Sequence, residues 1–340
     1  MKRAELDKLV TNSIDEHYLR RAFTAFPSYW DGFVAAIDAL SDLLSDRQLE
    51  DLLKNKLQLG LSLFDEKQYL QIACETTVNI YFARKFSSTF SYETKTTAKT
   101  KKDVDCSYGD NGYKYFIEVK CSDFKEKEKI SAQDGIKFST AGRIPNYDES
   151  FKDLSTMLEE GQKNLEGTVK PVLKQKNMDN NLKDFLISAH NKFNDDATDD
   201  EVNILVVCCG DPSDMQAWYL YMYSHEGLFT GDSFCERDKY KNVDMVVLTN
   251  LYHRHNKFIE KQHLKEHWLL EKSCNFIFSN PSRKSLKEPA MMHFINTFPH
   301  YTFDLSNYNV PGPAEQYVKD LRRIPYFVKE MLTDKGIVLF

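Results

Sequence analysis

Eight consecutive residues, Val202-Asn203-Ile204-Leu205-Val206-Val207-Cys208-Cys209, carry a single polar side chain other than cysteine. A run this short cannot span a bilayer, and its β-branched and aliphatic content favours an extended strand. A strand with no polar face must be covered on both sides, which requires a sheet flanked by helices. Asp244 to Thr249 repeats the pattern, and Asn275 to Phe278 gives a shorter third instance. The rest of the chain must supply the covering layers.

Residues 1 to about 65 read as helical. Trp30 to Leu44 carries apolar residues at helical spacing, Ser45 and Gln48 have capping-box form, and Gly60 is a stop signal. A longer helix is predicted from Glu66 to Phe86 behind Asp65, with Tyr69, Ile72, Ala73, Thr76, Ile80 and Ala83 on one stripe and Glu75 at its margin. Further helices are predicted over Glu149 to Glu166, Asn181 to Phe193 and Gln316 to Leu332. Trp218 to Tyr223 reads as a packed helix or strand.

Between the first helices and the apolar strands the texture is β. Thr89 to Thr97, Val104 to Tyr108 and Tyr113 to Cys121 are three short strands, and Gly109-Asp110-Asn111-Gly112 is a hairpin turn between the last two. In a strand, residues two apart share a face, so Glu118 and Lys120 project together while Ile117 and Val119 face the other way into the core. The hairpin brings Asp105 beside Glu118. Two carboxylates at a sheet edge suit Mg²⁺, which takes hard oxygen ligands, keeps several waters and accepts phosphate oxygens. A lysine beside that ion could hold the attacking water and offset transition-state charge.

This stretch resembles the PD-(D/E)XK, restriction-endonuclease-like nucleases. They carry a helix, a three-stranded meander bearing Asp and then Glu-x-Lys, a further helix and a further strand, an order that residues 66 to 209 follow, extending to about 249. The resemblance implies an α/β fold with a mixed sheet (an αβββαβ core) flanked by helices. It implies a metal-dependent nuclease hydrolysing phosphodiesters, with DNA as substrate and Mg²⁺, or Mn²⁺ in its place, as cofactor. Asp105 and Glu118 would bind metal, Lys120 would position or activate water, and Glu75 would be an additional ligand. No Pro precedes the Asp, so Asp103 stays open as the ligand; Asp105, inside the strand and nearer the turn, is the preferred choice. The implied setting is a restriction or anti-phage defence system, acting as a homodimer or with a defence partner protein. The domain division is a helical region over 1–64, a nuclease-like core over 65–280 and a helical extension over 281–340. The alternative is a catalytically inactive module on the same fold that binds nucleic acid or protein.

Net charge is −6, so nucleic acid must be held by local cations. Lys95, Lys99, Lys101 and Lys102 precede the motif with only Thr and Ala between them, and would grip phosphates. Lys125-Glu126-Lys127-Glu128-Lys129 alternates in sign and reads either as a phosphate grip or as a solvated loop. Gln162 and Lys163 lie on the helix after the meander, where the resemblance implies polar residues turned toward substrate. His263-Leu264-Lys265-Glu266-His267 matches the spelling of inverted zinc metallopeptidases, and on a helix its two histidines would share a face. The span Phe258 to Leu270 also reads as a plain amphipathic helix, the preferred reading, with no zinc. No phosphate-binding glycine loop, nucleophile elbow or dinucleotide fingerprint is present. The seven scattered cysteines without a CxxC pair read as buried, reduced thiols. No membrane-length apolar run and no signal-peptide core are present, which points to a cytoplasmic protein with no membrane partner.

Overall fold

A computed structural model describes residues 3–96, 103–140, 142–143, 146–166, 169–175, 178–284 and 287–340. It is an α/β structure in which helices flank a mixed six-stranded sheet. The strands are β1 (Ser91–Lys95), β2 (Asp103–Asp110), β3 (Tyr113–Cys121), β4 (Ile136–Phe138), β5 (Val172–Lys174), β6 (Glu201–Cys208), β7 (Met245–Thr249) and β8 (Asn275–Ser279). The main sheet runs in the order β1-β2-β3-β6-β7-β8, and β4 pairs with β5 in a small separate sheet. The first three strands form an antiparallel meander, β3, β6 and β7 are mutually parallel, and β8 returns antiparallel to β7.

The hairpin between β2 and β3 closes through Asn111 and Gly112, with φ of 51° and 82°. Two successive left-handed residues match the right-handed twist of the flanking strands, which is why an Asn-Gly pair fixes this register. Cys106 therefore faces Ile117, and Tyr108 faces Tyr115. The apolar strands are buried along their length: Val202 and Ile204 to Cys208 in β6 and all of β7 are closed to solvent.

The helix Glu66–Lys85 is capped by Asp65, whose carboxylate accepts from the amides of Lys67 and Gln68. It buries more than the single predicted stripe: Thr77, Asn79 and Phe82 are buried as well. It packs against β3, against the helix Pro27–Ser41 and against Leu251–His255, so it is a core element. Phe82 and Phe86 stack on Tyr108 with centroids 4.7 and 4.2 Å away, and Tyr108 stacks on Tyr115 at 4.8 Å, which fixes the helix over the meander. The Ser45–Gln48 capping box forms as expected. The buried apolar core is continuous from Leu6 to Leu339, so the N-terminal helices, the sheet and the C-terminal extension share one interior.

Three expectations are corrected. The span 258–270 is not a helix but short turns at Phe258–Glu260 and Leu270–Lys272, separated by a left-handed Glu266 (φ 56°). Its apolar side chains are buried singly instead: Phe258 stacks on Tyr29 at 3.9 Å, and Trp268 lies 5.2 Å from Phe33. The segment Gln316 to Leu332 is broken into Gln316–Asp320, Arg323–Tyr326 and a wide turn over Phe327–Leu332. The break before Arg323 leaves Pro325 in a first turn, where its missing N–H has no helical partner to lose. Lys125 to Lys129 is no loop but part of a helix, Lys125–Ala132, in which Lys125 pairs with Glu66 (3.5 Å) and Lys127 with Asp211 and Asp214. No helix among the described residues is long and apolar enough to cross a membrane.

Candidate active site

The chemistry gathers where β2 and β3 meet the end of β1. Asp105 lies one residue beyond the Cys106–Ile117 pair, on the strand directly beside Glu118. Its Oδ2 accepts from the Val119 amide at 2.6 Å, so a side-chain carboxylate takes the place of a backbone acceptor. Glu118 is 0 % exposed. Lys120, on the same strand face, brings Nζ to 2.6 Å from Glu118 Oε1. The shared face follows from the period of two alone.

The expected location is corrected. β3 is not an edge: β2 flanks it on one side and β6 on the other, with Glu118 opposite Leu205 and Lys120 opposite Val207. Ile117 and Val119 are buried, but so are Phe116 and Glu118, because both faces of this central strand are covered.

Three residues not singled out in the sequence complete the cluster. Lys192, just after the helix Asp179–His190, places Nζ 2.7 Å from Glu118 Oε1 and 2.8 Å from Oε2. Lys56, from the N-terminal helical region, contacts Glu93, lies 3.8 Å from Glu75 Oε1 and donates to the Tyr92 hydroxyl at 3.1 Å. Glu93 sits on β1 with φ of 49°. Glu75 itself is nearly buried, its side chain 12 % exposed, and it faces the cluster, not bulk solvent.

The electrostatics are those of crowded carboxylates. Burial, followed by the charges of Glu75 and Glu118, pushes the Asp105 carboxyl well above the usual range, against the opposing pull of Lys192 and the Val119 amide. Burial likewise raises Glu75; Lys56 opposes the shift, and the charge of Glu118 adds to it. For Lys56, burial favours the neutral amine, but the charge of Glu75, with Tyr92 and Glu93, outweighs it and raises the pKa.

A hard divalent cation fits the donor chemistry. Every candidate donor is a carboxylate oxygen, and Glu118 Oε1 is fully buried without a hydrogen bond, because neither neighbouring ammonium meets it at hydrogen-bonding angles. As the side chains stand, no group of three or more His, Cys, Asp or Glu among the described residues is close enough to hold a metal ion. The lysines supply the positive charge in this arrangement.

Asp103 begins β2, opposite Lys95 of β1 and two residues from Asp105. Lys95 is exposed, while Lys99, Lys101 and Lys102 lie outside the described residues. Gln162 bonds both backbone groups of Lys170, which ties its helix to the strand that follows. His263 and His267 share no helix face: His263 Nε2 contacts the Phe340 carbonyl at 3.1 Å, and His267 Nδ1 contacts the Arg254 carbonyl at 2.7 Å. Glu266 pairs with Lys272 at 3.5 Å. Comparison with protein-family models, with curated proteins and with solved structures found no match to this chain.

Proposed function

We propose that this chain is a metal-dependent nuclease of the restriction-endonuclease-like kind, hydrolysing phosphodiesters in DNA. One observation carries the reading: Asp105, on the neighbouring strand, lies opposite Glu118, whose carboxylate pairs with Lys120, and the charge of Glu75 reaches Asp105. The order of helix, antiparallel meander, helix and parallel strand supports the fold assignment. Asp105 and Glu118 would hold a Mg²⁺ or Mn²⁺ ion, with Glu75 as a further ligand. When bound, such an ion polarises the scissile phosphate and lowers the pKa of its own water. Lys120 provides a donor and a fixed positive charge beside Glu118, suited to holding the attacking water and offsetting charge on the phosphorane. Burial of Glu118 strengthens each of these interactions by excluding water. Seven free cysteines fit a reducing cytoplasm, where defence against foreign DNA is the natural task for such an enzyme, as a homodimer or with a partner protein.

The test is direct. Purified protein is incubated with linear, circular and single-stranded DNA, and with RNA, in Mg²⁺, Mn²⁺ or EDTA. Cleavage that needs the metal and disappears in folded Glu118→Gln and Lys120→Met supports the reading. Cleavage unaffected by Glu118→Gln sinks the site. A second reading, a non-cleaving module that binds nucleic acid or protein on the same fold, is favoured by the two ammonium groups already neutralising Glu118. Metal-independent DNA binding without cleavage would select it.

A further inference from the structure

Lys192 holds the most central position among the cations of the cluster. Its ammonium spans both oxygens of Glu118, at 2.7 and 2.8 Å, whereas Lys120 pairs with Oε1. The charge of Lys192 also acts favourably on Asp105 and on Glu75 together. It therefore stands against the carboxylate that the metal-site reading makes a principal ligand, with its charge also felt by Asp105 and Glu75.

Its backbone is fixed. The Lys192 amide donates to the Ala189 carbonyl at 2.9 Å, its carbonyl accepts from the Thr96 hydroxyl at the end of β1, and the next residue, Phe193, is buried. The side chain is 19 % exposed, so the ammonium has a route to solvent through rotation of its own four-carbon stem. Lys120 has the same exposure but pairs with one oxygen of Glu118, Oε1.

We propose that Lys192 is a built-in stand-in for the divalent cation: its ammonium holds the carboxylate cluster together without metal and withdraws from Glu118 when metal enters. This rests on the metal-site reading above and adds to it a competition between a side chain and the ion. The physical reason is charge balance. Crowded, largely buried carboxylates need a cation for the fold to tolerate them, but a permanently seated ammonium would repel an incoming ion at the same point. A mobile lysine satisfies both demands, because it leaves as the metal's charge arrives.

The experiment measures Mn²⁺ binding by calorimetry and by the electron paramagnetic resonance signal of the free ion, in wild type and in Lys192→Met, without any nuclease assay. Lys192→Met should bind Mn²⁺ about tenfold more tightly, a conservative figure for removing a positive charge in contact with the site, and should unfold at a lower temperature when metal-free. A purely structural lysine would not tighten binding on removal. Equal or weaker binding by the variant, with wild type binding normally, overturns the inference and leaves the metal site standing. No binding by either protein overturns the metal site itself and the inference with it. If Lys192→Met fails to fold, wild-type protein decides the matter through mild reductive methylation with and without Mn²⁺, followed by peptide mapping. Faster labelling of Lys192 in the presence of metal supports withdrawal, and unchanged or slower labelling overturns it.

Discussion

Two neighbouring carboxylates, Asp105 and Glu118, should respond in opposite directions to the same chemical change. Glu118→Gln removes the counter-charge from two ammonium groups, those of Lys120 and Lys192, whose side chains are each only 19 % exposed. Breaking a buried pair on one side costs about 3–5 kcal/mol. The low end applies, because both lysine side chains keep some exposure to solvent. An entropy of unfolding of about 2.1 cal/mol/K per residue, taken over 340 residues, gives roughly 0.7 kcal/mol/K, so a loss of about 3 kcal/mol lowers Tm by roughly 4 °C. Asp105→Asn does the reverse. It keeps an acceptor for the Val119 amide and removes a charge that burial, Glu75 and Glu118 all disfavour. A gain on the order of 1 kcal/mol, or 1–2 °C, is expected at pH 7.5. Because the folded-state pKa of Asp105 lies above its unfolded value, the folded protein holds the extra proton, and wild-type stability falls as pH rises through that interval. The advantage of Asp105→Asn must therefore widen with rising pH and vanish at about pH 4, near the unfolded value. Thermal unfolding in EDTA from pH 4 to 8, followed by circular dichroism, reads all of this. Saturating Mn²⁺, at about 100 times its dissociation constant, should add roughly 2.7 kcal/mol to wild type and little to either variant. An Asp105→Asn protein as destabilised as Glu118→Gln at pH 7.5, or an advantage that shrinks as pH rises, would refute the electrostatic account of this cluster.

Three further outcomes are expected. Glu75→Gln should weaken Mn²⁺ binding less than Glu118→Gln does, since Glu75 approaches from the helix and already faces Lys56; calorimetry giving equal or larger losses would make Glu75 a principal ligand. Mn²⁺ affinity should fall as pH is lowered, because metal must displace the protons held at raised pKa by Asp105 and Glu75, and a flat profile between pH 5 and 8 would contradict that. Replacing Lys99, Lys101 and Lys102 with Ala should flatten the salt dependence of DNA binding by about one unit of log–log slope for each phosphate those lysines neutralise, with an unchanged slope assigning them to a solvated surface.

Strand alternation and turn chemistry around the site were legible in the order of residues. Alternation with a period of two puts Glu118 and Lys120 on one strand face, the Asn111-Gly112 turn sets the register that brings Asp105 beside Glu118, and the unbroken apolar runs of β6 and β7 require cover on both faces. Asp65 likewise announced the start of the helix that carries Glu75. The pairings set by strand order and chain crossing had to wait for the folded chain. Lys192 meets Glu118 across 74 residues and Lys56 meets Glu93 across 37, and no local pattern marks either lysine. The strand that reads as an edge became central because the parallel crossover laid β6 against it, burying the Glu-x-Lys motif. The apolar periodicity of 258–270 failed for the related reason that burial rewards contact and not helicity: Phe258 and Trp268 reach the core from separate turns, so the pattern that spells a helix is satisfied without one.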